Sequence, residues 1–516
     1  MSLIQVSDLS FTYEGSYVPV FEHVSFRIDT DWKLGFTGRN GRGKTTFLRI
    51  LQGMYEYEGH ISASVEFDYF PFAIPDEGAD VLEIVLGLMP DVEFWQIKRE
   101  LKKLRVKEEA LYRSLNTLSY GERTKVLLAA LFARENRFLL IDEPTNHLDL
   151  EGRRLLGEYL AQKKGFILVS HDRAFLDSCV DHMVSINKTD IQVQKGNFSA
   201  WYENKERQDA FEMARQEQLK KEIGRLLQAA SQTKSWGDQV ESTKIGKKSV
   251  NYERGRDYVG EKSRRMQQRR KNLERRQERA TQEKSGLLKN VETAEDLRLE
   301  PLSYHKEVLV TARELTVGYG GKAVCGPVSF QIERGDILLL SGANGCGKSS
   351  IMRSILDEAS GGGMQDDGMS GSGEMEPFQR TPVKMGGVLQ VGSGLKISWI
   401  PQNTDHLSDS LEAYARKIGA DITLMKALLR KMDFSRELFD RPLESYSEGQ
   451  KKKVLLGGSL CQRAHLYVWD EPLNYIDIYS RMQIEELIRR WKPTLLCVEH
   501  DRAFGENVGA KTVFMA

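Results

Sequence analysis

Four short motifs occur twice in this chain, in the same order in each half. The pairs are GRNGRGKTT (38–46) and GANGCGKSS (342–350), LSYGERTKV (118–126) and YSEGQKKKV (446–454), FLLIDEPTNHLD (138–149) and LYVWDEPLNYID (466–477), and VSHDRAF (169–175) and VEHDRAF (498–504). A long-period internal repeat constrains the fold more than any single motif does, because related copies are expected to adopt the same architecture. We therefore interpret the chain as two related halves.

The two halves differ mainly in the spacing between their first two motifs. The second and third motifs are 23 residues apart in both halves, counted from Ser119 to Asp142 and from Ser447 to Asp470. The lysine of the first motif and the serine of the second are 75 residues apart in the first half and 99 in the second. The added length lies in 359–394, where ten glycines stand among 36 residues, and this composition predicts a loop or linker.

Length and composition exclude several classes of protein. A chain of 516 residues with 40% hydrophobic residues is long enough for two to four domains with ordinary cores. Its five cysteines are scattered and form no CxxC pair, which argues against a disulfide scaffold, structural zinc and a thiol-redox motif. The start of the chain lacks the basic and apolar regions of a signal peptide, and the longest apolar run, 126–133, is far shorter than the roughly 20 residues that span a bilayer. We expect a cytoplasmic protein without a membrane segment.

The first motif of each half has the pattern of a phosphate-binding loop. Its glycines let backbone N–H groups face phosphates, its lysine supplies a positive charge, and the Thr or Ser after the lysine can ligand Mg²⁺. Each copy follows an apolar strand-like run, 33–37 or 337–341, which is the context that the motif requires. The candidate phosphate-binding residues are Gly38, Asn40, Gly41, Gly43, Lys44, Thr45 and Thr46 in the first half, and Gly342, Asn344, Gly345, Gly347, Lys348, Ser349 and Ser350 in the second.

The third and fourth motifs place acidic residues and a histidine at the ends of apolar strands. The acidic pairs are Asp142 with Glu143, and Asp470 with Glu471. The aspartates are candidates to hold Mg²⁺ through water, and each glutamate is a candidate base, or an orienting group, for an attacking water. His171 and His500 recur at matched spacing, where each is a candidate to contact the terminal phosphate.

The second motif is a short polar turn before a helix. Serine and glycine N–H groups at the start of a helix form an anion site. The residues concerned are Ser119 and Gly121 in the first half, and Ser447 and Gly449 in the second. This signal is weak alone, but its position between the phosphate loop and the acidic pair makes it specific.

Over about 1–200 and 303–516 these motifs resemble those of the ATP-binding cassette (ABC) ATPases. The resemblance implies an α/β fold with two P-loop ATPase domains that close head to tail on two ATP molecules. Each phosphate loop would then face the Ser–Gly pair of the other half. The resemblance implies catalytic roles for Glu143, Glu471, His171 and His500, magnesium ligands at Thr45, Asp142, Ser349, Gln402 and Asp470, and adenine stacking on Tyr13 and Tyr319.

The first half departs from the family pattern at one magnesium-ligand position. The family's glutamine matches Gln402 in WIPQ, whereas the first half reads YFPF and has Phe72 there. We therefore expect magnesium coordination in the first site to be weaker or filled by water. In the second half, Tyr446 replaces a leucine and NYID replaces NHLD, but the polar atoms are kept. Both glutamates are present, so we expect neither site to be inactive.

The net charge of zero conceals a basic segment between the two halves. Residues 201–290 contain 23 Lys and Arg against 14 Asp and Glu, a net charge of 23 − 14 = +9, so the rest of the chain carries −9. Apolar residues recur every seven positions from Val259 to Leu287, and the segment contains no proline. This pattern predicts a linker at 201–302 that forms an antiparallel helical hairpin, with its tip at about 231–258.

Basic residues interleaved with aromatic ones suit phosphate contacts and base stacking on structured RNA, although a charged helix is often only a solvated surface. The candidate RNA contacts are Trp236, Lys244, Lys247, Lys248, Tyr252, Arg264, Arg265, Arg269 and Arg270. Two cassettes joined by a basic hairpin resemble the ABC-F family, whose members act on ribosomes. That resemblance implies a monomer whose own cassettes pair, and a 70S ribosome partner. The linker, called the P-site tRNA interaction motif, would contact 23S rRNA and P-site tRNA from the exit site.

The length of the first cassette favours one group within ABC-F. From Phe72 to Ser119 there are 47 residues, and from Gln402 to Ser447 there are 45, so no sizeable arm is inserted. This is similar to the resistance group that protects ribosomes against lincosamides, streptogramin A and pleuromutilins by displacing them from the peptidyl-transferase region. The alternatives are a housekeeping ABC-F translation factor without a drug role, the ATPase subunit of an exporter, and a DNA-repair ATPase. The basic linker argues against the exporter.

Overall fold

The structure is a computed structural model, and it describes most of both halves. The described residues are 2–16, 19–146, 148–186, 191–215, 217, 218, 221, 268, 299–360 and 383–515. The chain divides into two compact units, one made of Met1–Ser199 with Ala294–Ala516, and the other of Ala200–Thr293. Apart from Gln268, residues 222–298 lie outside the described residues, and so do residues 361–382.

The first half contains a small antiparallel sheet and a larger, mainly parallel sheet. Its strands are β1 (Leu3–Phe11), β2 (Phe21–Asp29), β3 (Lys33–Thr37), β4 (Glu58–Ser62), β5 (Glu66–Phe70), β6 (Arg137–Asp142), β7 (Phe166–Val169), β8 (His182–Ile186) and β9 (Ile191–Lys195). The small sheet has the order β2-β1-β4, and the large sheet has the order β5-β6-β7-β3-β8-β9. In this order β5, β6, β7, β3 and β8 each pair in parallel with the next strand, and β9 pairs antiparallel with β8.

Helices connect the parallel strands of the first half. They are α1 (Lys44–Leu51), α2 (Val81–Leu88), α3 (Phe94–Lys103), α4 (Tyr120–Ala133), α5 (Leu150–Ala161) and α6 (Arg173–Cys179). Helix α7 follows at 198–215, where the predicted linker begins. The rest of the predicted hairpin, including its tip at about 231–258, lies outside the described residues and stays a prediction.

The second half repeats this architecture. Its strands are β10 (Val308–Tyr319), β11 (Lys322–Glu333), β12 (Ile337–Gly342), β13 (Val383–Val391), β14 (Ile397–Ile400), β15 (Leu466–Asp470), β16 (Leu495–Val498) and β17 (Lys511–Met515). Its helices are α8 (Lys348–Ala359), α9 (Leu411–Lys417), α10 (Ile422–Lys431), α11 (Glu448–Cys461), α12 (Ile478–Trp491) and α13 (Arg502–Val508). The small sheet has the order β11-β10-β13, and the large parallel sheet has the order β14-β15-β16-β12-β17. The α/β fold with two P-loop ATPase domains is therefore confirmed.

The order of the parallel strands brings three motifs of each half together at one sheet edge. In the first half β6, β7 and β3 are neighbours. Asp142 ends β6, His171 follows the end of β7, and the phosphate loop follows the end of β3, so all three lie close together. In the second half β15, β16 and β12 place Asp470, His500 and Gly342 in the same arrangement. The carboxyl edge of a parallel sheet is where such folds usually bind ligands.

Apolar strand runs explain why these sheets form the centre of each half. The residues FLLI of β6, FILV of β7 and LLCV of β16 are buried without alternation, as expected for parallel strands covered by helices on both faces. The core of the second half also includes Leu299, so this cassette begins before residue 303, where the sequence placed its start. Among the described residues, no helix has the length and apolar character needed to cross a bilayer.

The predicted Gly-rich loop at 359–394 is wrong for part of its length. Residues Val383–Val391 form β13, which pairs antiparallel with β10 along most of its length. The ladder shifts register between Arg313 and Thr316, opposite Gly386 and Gly387, so these glycines mark an irregularity within a strand. The glycine-rich composition does not indicate this strand, because its pairing partner, β10, lies about 70 residues earlier in the chain.

Candidate ATP-binding sites

The two phosphate loops have the same internal geometry. Gly43 and Gly347 precede their helices with φ angles of 90° and 88°, a left-handed conformation that glycine adopts readily. A Cβ atom on Gly43 would lie 2.4 Å from a side-chain carbon of the residue before β2. A Cβ atom on Gly347 would lie 2.4 Å from a side-chain carbon of β11. Lys44 Nζ donates to Gly38 O at 2.7 Å, and Lys348 Nζ donates to Gly342 O at 2.9 Å. Each loop thus curls around its own lysine, which is the cradle that a phosphate requires.

The two predicted adenine-stacking tyrosines lie beside these loops. The Tyr13 and Thr46 hydroxyls are 2.6 Å apart, and those of Tyr319 and Ser350 are 3.1 Å apart. Tyr13 packs edge to face with the ring of Tyr55 and remains 42% exposed, so part of its ring is open to a ligand. Adenine stacking itself stays a prediction.

The predicted magnesium ligands have the expected chemistry. Thr45 Oγ1 donates to Asp142 Oδ2 at 2.8 Å, and Ser349 forms a hydrogen bond with Asp470. Asp470 is almost fully buried, its Oδ1 has no hydrogen-bond partner in the described part of the chain, and burial raises its pKa to about 6. A buried carboxylate beside a hydroxyl, with one oxygen unused, fits a hard cation such as Mg²⁺.

Tyr69 is a further residue at this position that the motifs did not reveal. Its hydroxyl donates to Asp142 Oδ2 at 3.0 Å, so that one carboxylate oxygen accepts hydrogen bonds from both Tyr69 and Thr45. The available signal was its place on β5, the strand that pairs with β6, three residues before Phe72. Tyr69 stayed outside the motifs because its partner lies 73 residues later in the chain.

Each candidate glutamate has a strained backbone and a histidine close by. Glu143 has a φ angle of 49° and Glu471 one of 47°, in the left-handed region that non-glycine residues rarely occupy. Glu143 Oε1 lies 3.3 Å from His171 Nε2, and Glu471 Oε1 lies 3.7 Å from His500 Nε2. Burial, with Lys44 nearby, holds the pKa of His171 well below its usual value, so this ring is neutral. The structure therefore brings the predicted catalytic pair together in both halves.

The two glutamates differ in their electrostatic surroundings. Burial, with the charge of Asp142 beside it, raises the pKa of Glu143 to about 8. Burial acts in the same direction on Glu471, but contacts with His500, Gln402 and Lys452 outweigh it and lower the pKa to about 2. Glu471 Oε2 accepts hydrogen bonds from Gln402 Nε2 at 2.9 Å and from Asn474 Nδ2 at 2.7 Å. Gln402 thus contacts the candidate base of the second site. Phe72, at the matching position of the first site, has no polar side-chain atom that could do so.

The predicted Ser–Gly turns form reciprocal helix caps. Ser119 accepts a hydrogen bond from Glu122 N at 3.2 Å, and the Glu122 carboxylate accepts one from Ser119 N at 3.1 Å. Ser447 and Gln450 form the same arrangement at the start of α11. The sequence S-x-x-E or S-x-x-Q is the signature of this capping box. The remaining N–H groups at each helix start, including that of the glycine, are the candidate anion donors.

Contacts between the halves join the first phosphate loop to the second cassette. Asn40 Nδ2 donates to Tyr475 O at 2.9 Å, and a Cβ atom on Gly449 would lie 3.3 Å from Asn40 Nδ2. Arg173 forms a buried two-pronged ion pair with Glu485, one prong being 3.1 Å long. These contacts set the first loop against the second Ser–Gly turn, as head-to-tail closure requires.

The other side of the same interface contains a cavity. Its volume is about 1050 Å³, and it lies between the second phosphate loop and the first cassette. The lining includes Gly342, Ala343 and His500 from the second half, with Asp149 and Arg153 from the first. The candidate RNA contacts of the linker, from Trp236 to Arg270, lie outside the described residues.

Comparison with known proteins agrees with this geometry. The profile of the family described as ABC transporter matches residues 21–146 and 325–474. Ribosome protection protein VmlR of Bacillus subtilis is 25% identical over 96% of this chain and 84% of its own length. ABC transporter F family member 2 of Arabidopsis thaliana is also 25% identical, over 98% of this chain and 75% of its own length. ATP-binding protein Uup of Caulobacter vibrioides is 26% identical, over 96% and 74%.

A solved structure shares the arrangement of the two cassettes. It is the complex of archaeal ribosomal stalk protein aP1 with archaeal ribosome recycling factor aABCE1, with a TM-score of 0.61 at 18% identity, over 98% of this chain and 87% of that chain. At this identity the likeness concerns the fold alone. The family profile covers more than half of the chain, and the motifs that carry it converge in two nucleotide sites. The chain belongs to the ABC transporter family, and within that family it is an ABC-F ATPase, an enzyme that hydrolyses ATP.

Proposed function

We propose that this ATPase binds the ribosome and protects it by displacing antibiotics from the peptidyl-transferase region. In this proposal ATP, with Mg²⁺, closes the two cassettes on a cytoplasmic 70S ribosome. The linker at 201–302 then enters the exit site against 23S rRNA and P-site tRNA. The observation that carries the proposal is the similarity to a ribosome protection protein, VmlR, along 96% of this chain, linker included.

The contacts between the cassettes support a role for ATP binding as the driving step. Asn40 of the first phosphate loop donates to Tyr475 of the second cassette, so a nucleotide bound in that loop would lie at the interface. ATP shifts an open–closed equilibrium only if it binds the closed state better. A ligand that contacts both cassettes meets this condition.

The helical region of the first cassette supports the resistance group over a housekeeping factor. Between Phe72 and Ser119 the longer helices are α2 and α3, and between Gln402 and Ser447 they are α9 and α10. Each pair comprises one helix of seven or eight residues and one of ten. Because the two pairs of helices match in length, the first cassette has no inserted arm in this region. Housekeeping members often have such an arm.

The charge distribution supports an RNA partner. Residues 201–290 carry a net charge of +9, and the rest of the chain carries −9. A basic segment gains free energy by releasing counterions from RNA phosphates, whereas acidic cassettes are repelled by them. The linker is therefore the part of the chain that is suited to contact ribosomal RNA, and its candidate residues Lys244 to Tyr252 would lie nearest to the drug.

A trapping experiment tests ribosome binding. The double variant Glu143→Gln, Glu471→Gln keeps both sites folded but removes both candidate bases, so ATP should hold the cassettes closed. We expect the variant to cosediment with 70S ribosomes in ATP and to leave them in ADP. Recovery in membrane fractions would support the exporter alternative instead.

A growth experiment separates drug protection from a housekeeping role. Expression of the intact chain in a susceptible host should raise the inhibitory concentration of lincomycin or of a pleuromutilin severalfold. The trapped double variant is the matched control and should give no protection. Ribosome binding without any change in inhibitory concentration would contradict the protection proposal and favour a translation factor.

A further inference from the structure

Tyr69 occupies a place in the first ATP site for which the second site has no counterpart. It lies next to the end of β5, and its repeat-equivalent residue in β14 is Trp399, because Phe70 pairs with Ile141 as Ile400 pairs with Trp469. Trp399 packs against the core of the second cassette. The Tyr69 hydroxyl instead reaches Asp142 Oδ2 at 3.0 Å.

The same site lacks the polar side chain that its partner site uses. Gln402 donates to Glu471 in the second site, and the aligned residue of the first site is Phe72. Both differences fall on one strand and its following turn, Tyr69 to Phe72. The first site lacks the amide that the second site has at one position, and it has a phenol three residues earlier.

The surroundings of Tyr69 keep its hydroxyl a donor. Burial, followed by the charge and hydrogen bond of Asp142, raises the pKa of Tyr69 far above neutral pH. A phenol has a single O–H to donate, and Tyr69 donates it to Asp142. Since Thr45 donates to the same oxygen, Oδ2 is held from two sides and the carboxylate cannot rotate freely.

We propose that Tyr69 is a positioning residue of the first ATP site, which fixes the Asp142 carboxylate for Mg²⁺ in a site where Phe72 supplies no ligand. This inference deepens the ATPase assignment and does not depend on a ribosomal role. Tyr69 acts through Asp142 and does not itself hold the ion. Its removal should weaken the contribution of Mg²⁺ to nucleotide binding and leave metal-free binding unchanged.

The test uses the full chain with Lys348→Ala, so that nucleotide binding reports on the first site. A fluorescent ATP analogue is titrated in Mg²⁺ and in EDTA, for chains with and without Tyr69→Phe. Loss of a hydrogen bond to a charged group predicts that about tenfold more Mg²⁺ is needed for half-maximal binding. The dissociation constant in EDTA should not change.

Tyr55→Phe is the matched control, since the Tyr55 hydroxyl accepts from Arg49 and the residue packs, like Tyr69, against the apolar core of the first cassette. It should leave the Mg²⁺ requirement unchanged. Equal loss of affinity in Mg²⁺ and in EDTA for Tyr69→Phe would show a purely structural role and overturn the proposal. An unchanged Mg²⁺ requirement would overturn it as well. Neither result would contradict the assignment of the chain as an ATPase or its proposed binding to the ribosome.

Discussion

Glu100 shows how a buried charge ties two helices of the first cassette together. Its side chain on α3 is almost fully buried, and it accepts hydrogen bonds from Tyr159 at 2.8 Å, from Lys103 at 2.9 Å and from Lys163. Burial opposes ionisation of Glu100, but these donors outweigh it and lower the pKa to about 2. The carboxylate is therefore charged whenever the cassette is folded near neutral pH.

We predict that Glu100→Gln destabilises the first cassette by about 1–3 kcal/mol, because Lys163 loses a buried partner while the partly exposed Lys103 is solvated. Calorimetry should show a thermal midpoint lower by several degrees. Since the folded pKa of Glu100 lies below its unfolded value of about 4.5, this stabilisation is complete above pH 4.5 and is lost as pH falls towards 2. A difference between the proteins that stays constant down to pH 2 would contradict this assignment.

At the scale of elements, short contiguous motifs were the predictable part. The phosphate loops, the Ser–Gly caps and the acidic strand ends each depend on neighbours within a few residues, so their chemistry can be read locally. Tyr69 and β13 could not be found in this way, because Tyr69 contacts a residue 73 positions away and β13 needs β10 as a partner. Glycine-rich composition argued for a loop where tertiary pairing imposed a strand.

Strand β13 can be tested at Gly387. This residue has a φ angle of 74°, and a Cβ atom there would lie 2.2 Å from Glu314 O on β10. We predict that Gly387→Ala destabilises the second cassette by about 2–3 kcal/mol, since backbone strain and a clash with backbone add together. Gly394→Ala is the matched control, because its φ angle is 71° but no atom lies within 4 Å of the added carbon. Equal thermal midpoints for the two variants would contradict the paired strand.

At the scale of the whole chain, two matched arginines of the repeated halves make different contacts. Arg173 and Arg502 occupy the same place in the repeated HDRAF motif. Arg173 is buried and pairs with Glu485 of the other cassette, while Arg502 is 75% exposed at its side chain and pairs with Glu506 of its own helix. The residue of α5 that matches Glu485 is Gly157, so the first cassette offers no equivalent carboxylate.

This difference predicts that one buried ion pair, which the matching arginine of the second half does not repeat, strengthens closure of the cassettes. Glu485 also accepts from Asn507 Nδ2 at 2.9 Å, and Asp501 lies 3.8 Å from Arg173, so the guanidinium faces two carboxylates. Arg173→Met should therefore weaken ATP binding at the first site, in the Lys348→Ala background, by about tenfold. Arg502→Met, the repeat-equivalent control, should have little effect because its ion pair is exposed.

A double-mutant cycle identifies the partner. If Arg173 acts through Glu485, Glu485→Gln should lower the affinity of the first site much less in the Arg173→Met variant than in the chain that keeps Arg173. The coupling energy should be about 1–3 kcal/mol. The measured quantity is the affinity of the first site for the fluorescent ATP analogue, since nucleotide bound between the cassettes reports on their closure. Additive losses would mean that the pair does not couple the cassettes, and other contacts of the first phosphate loop, such as that of Asn40 with Tyr475, would then have to hold them together.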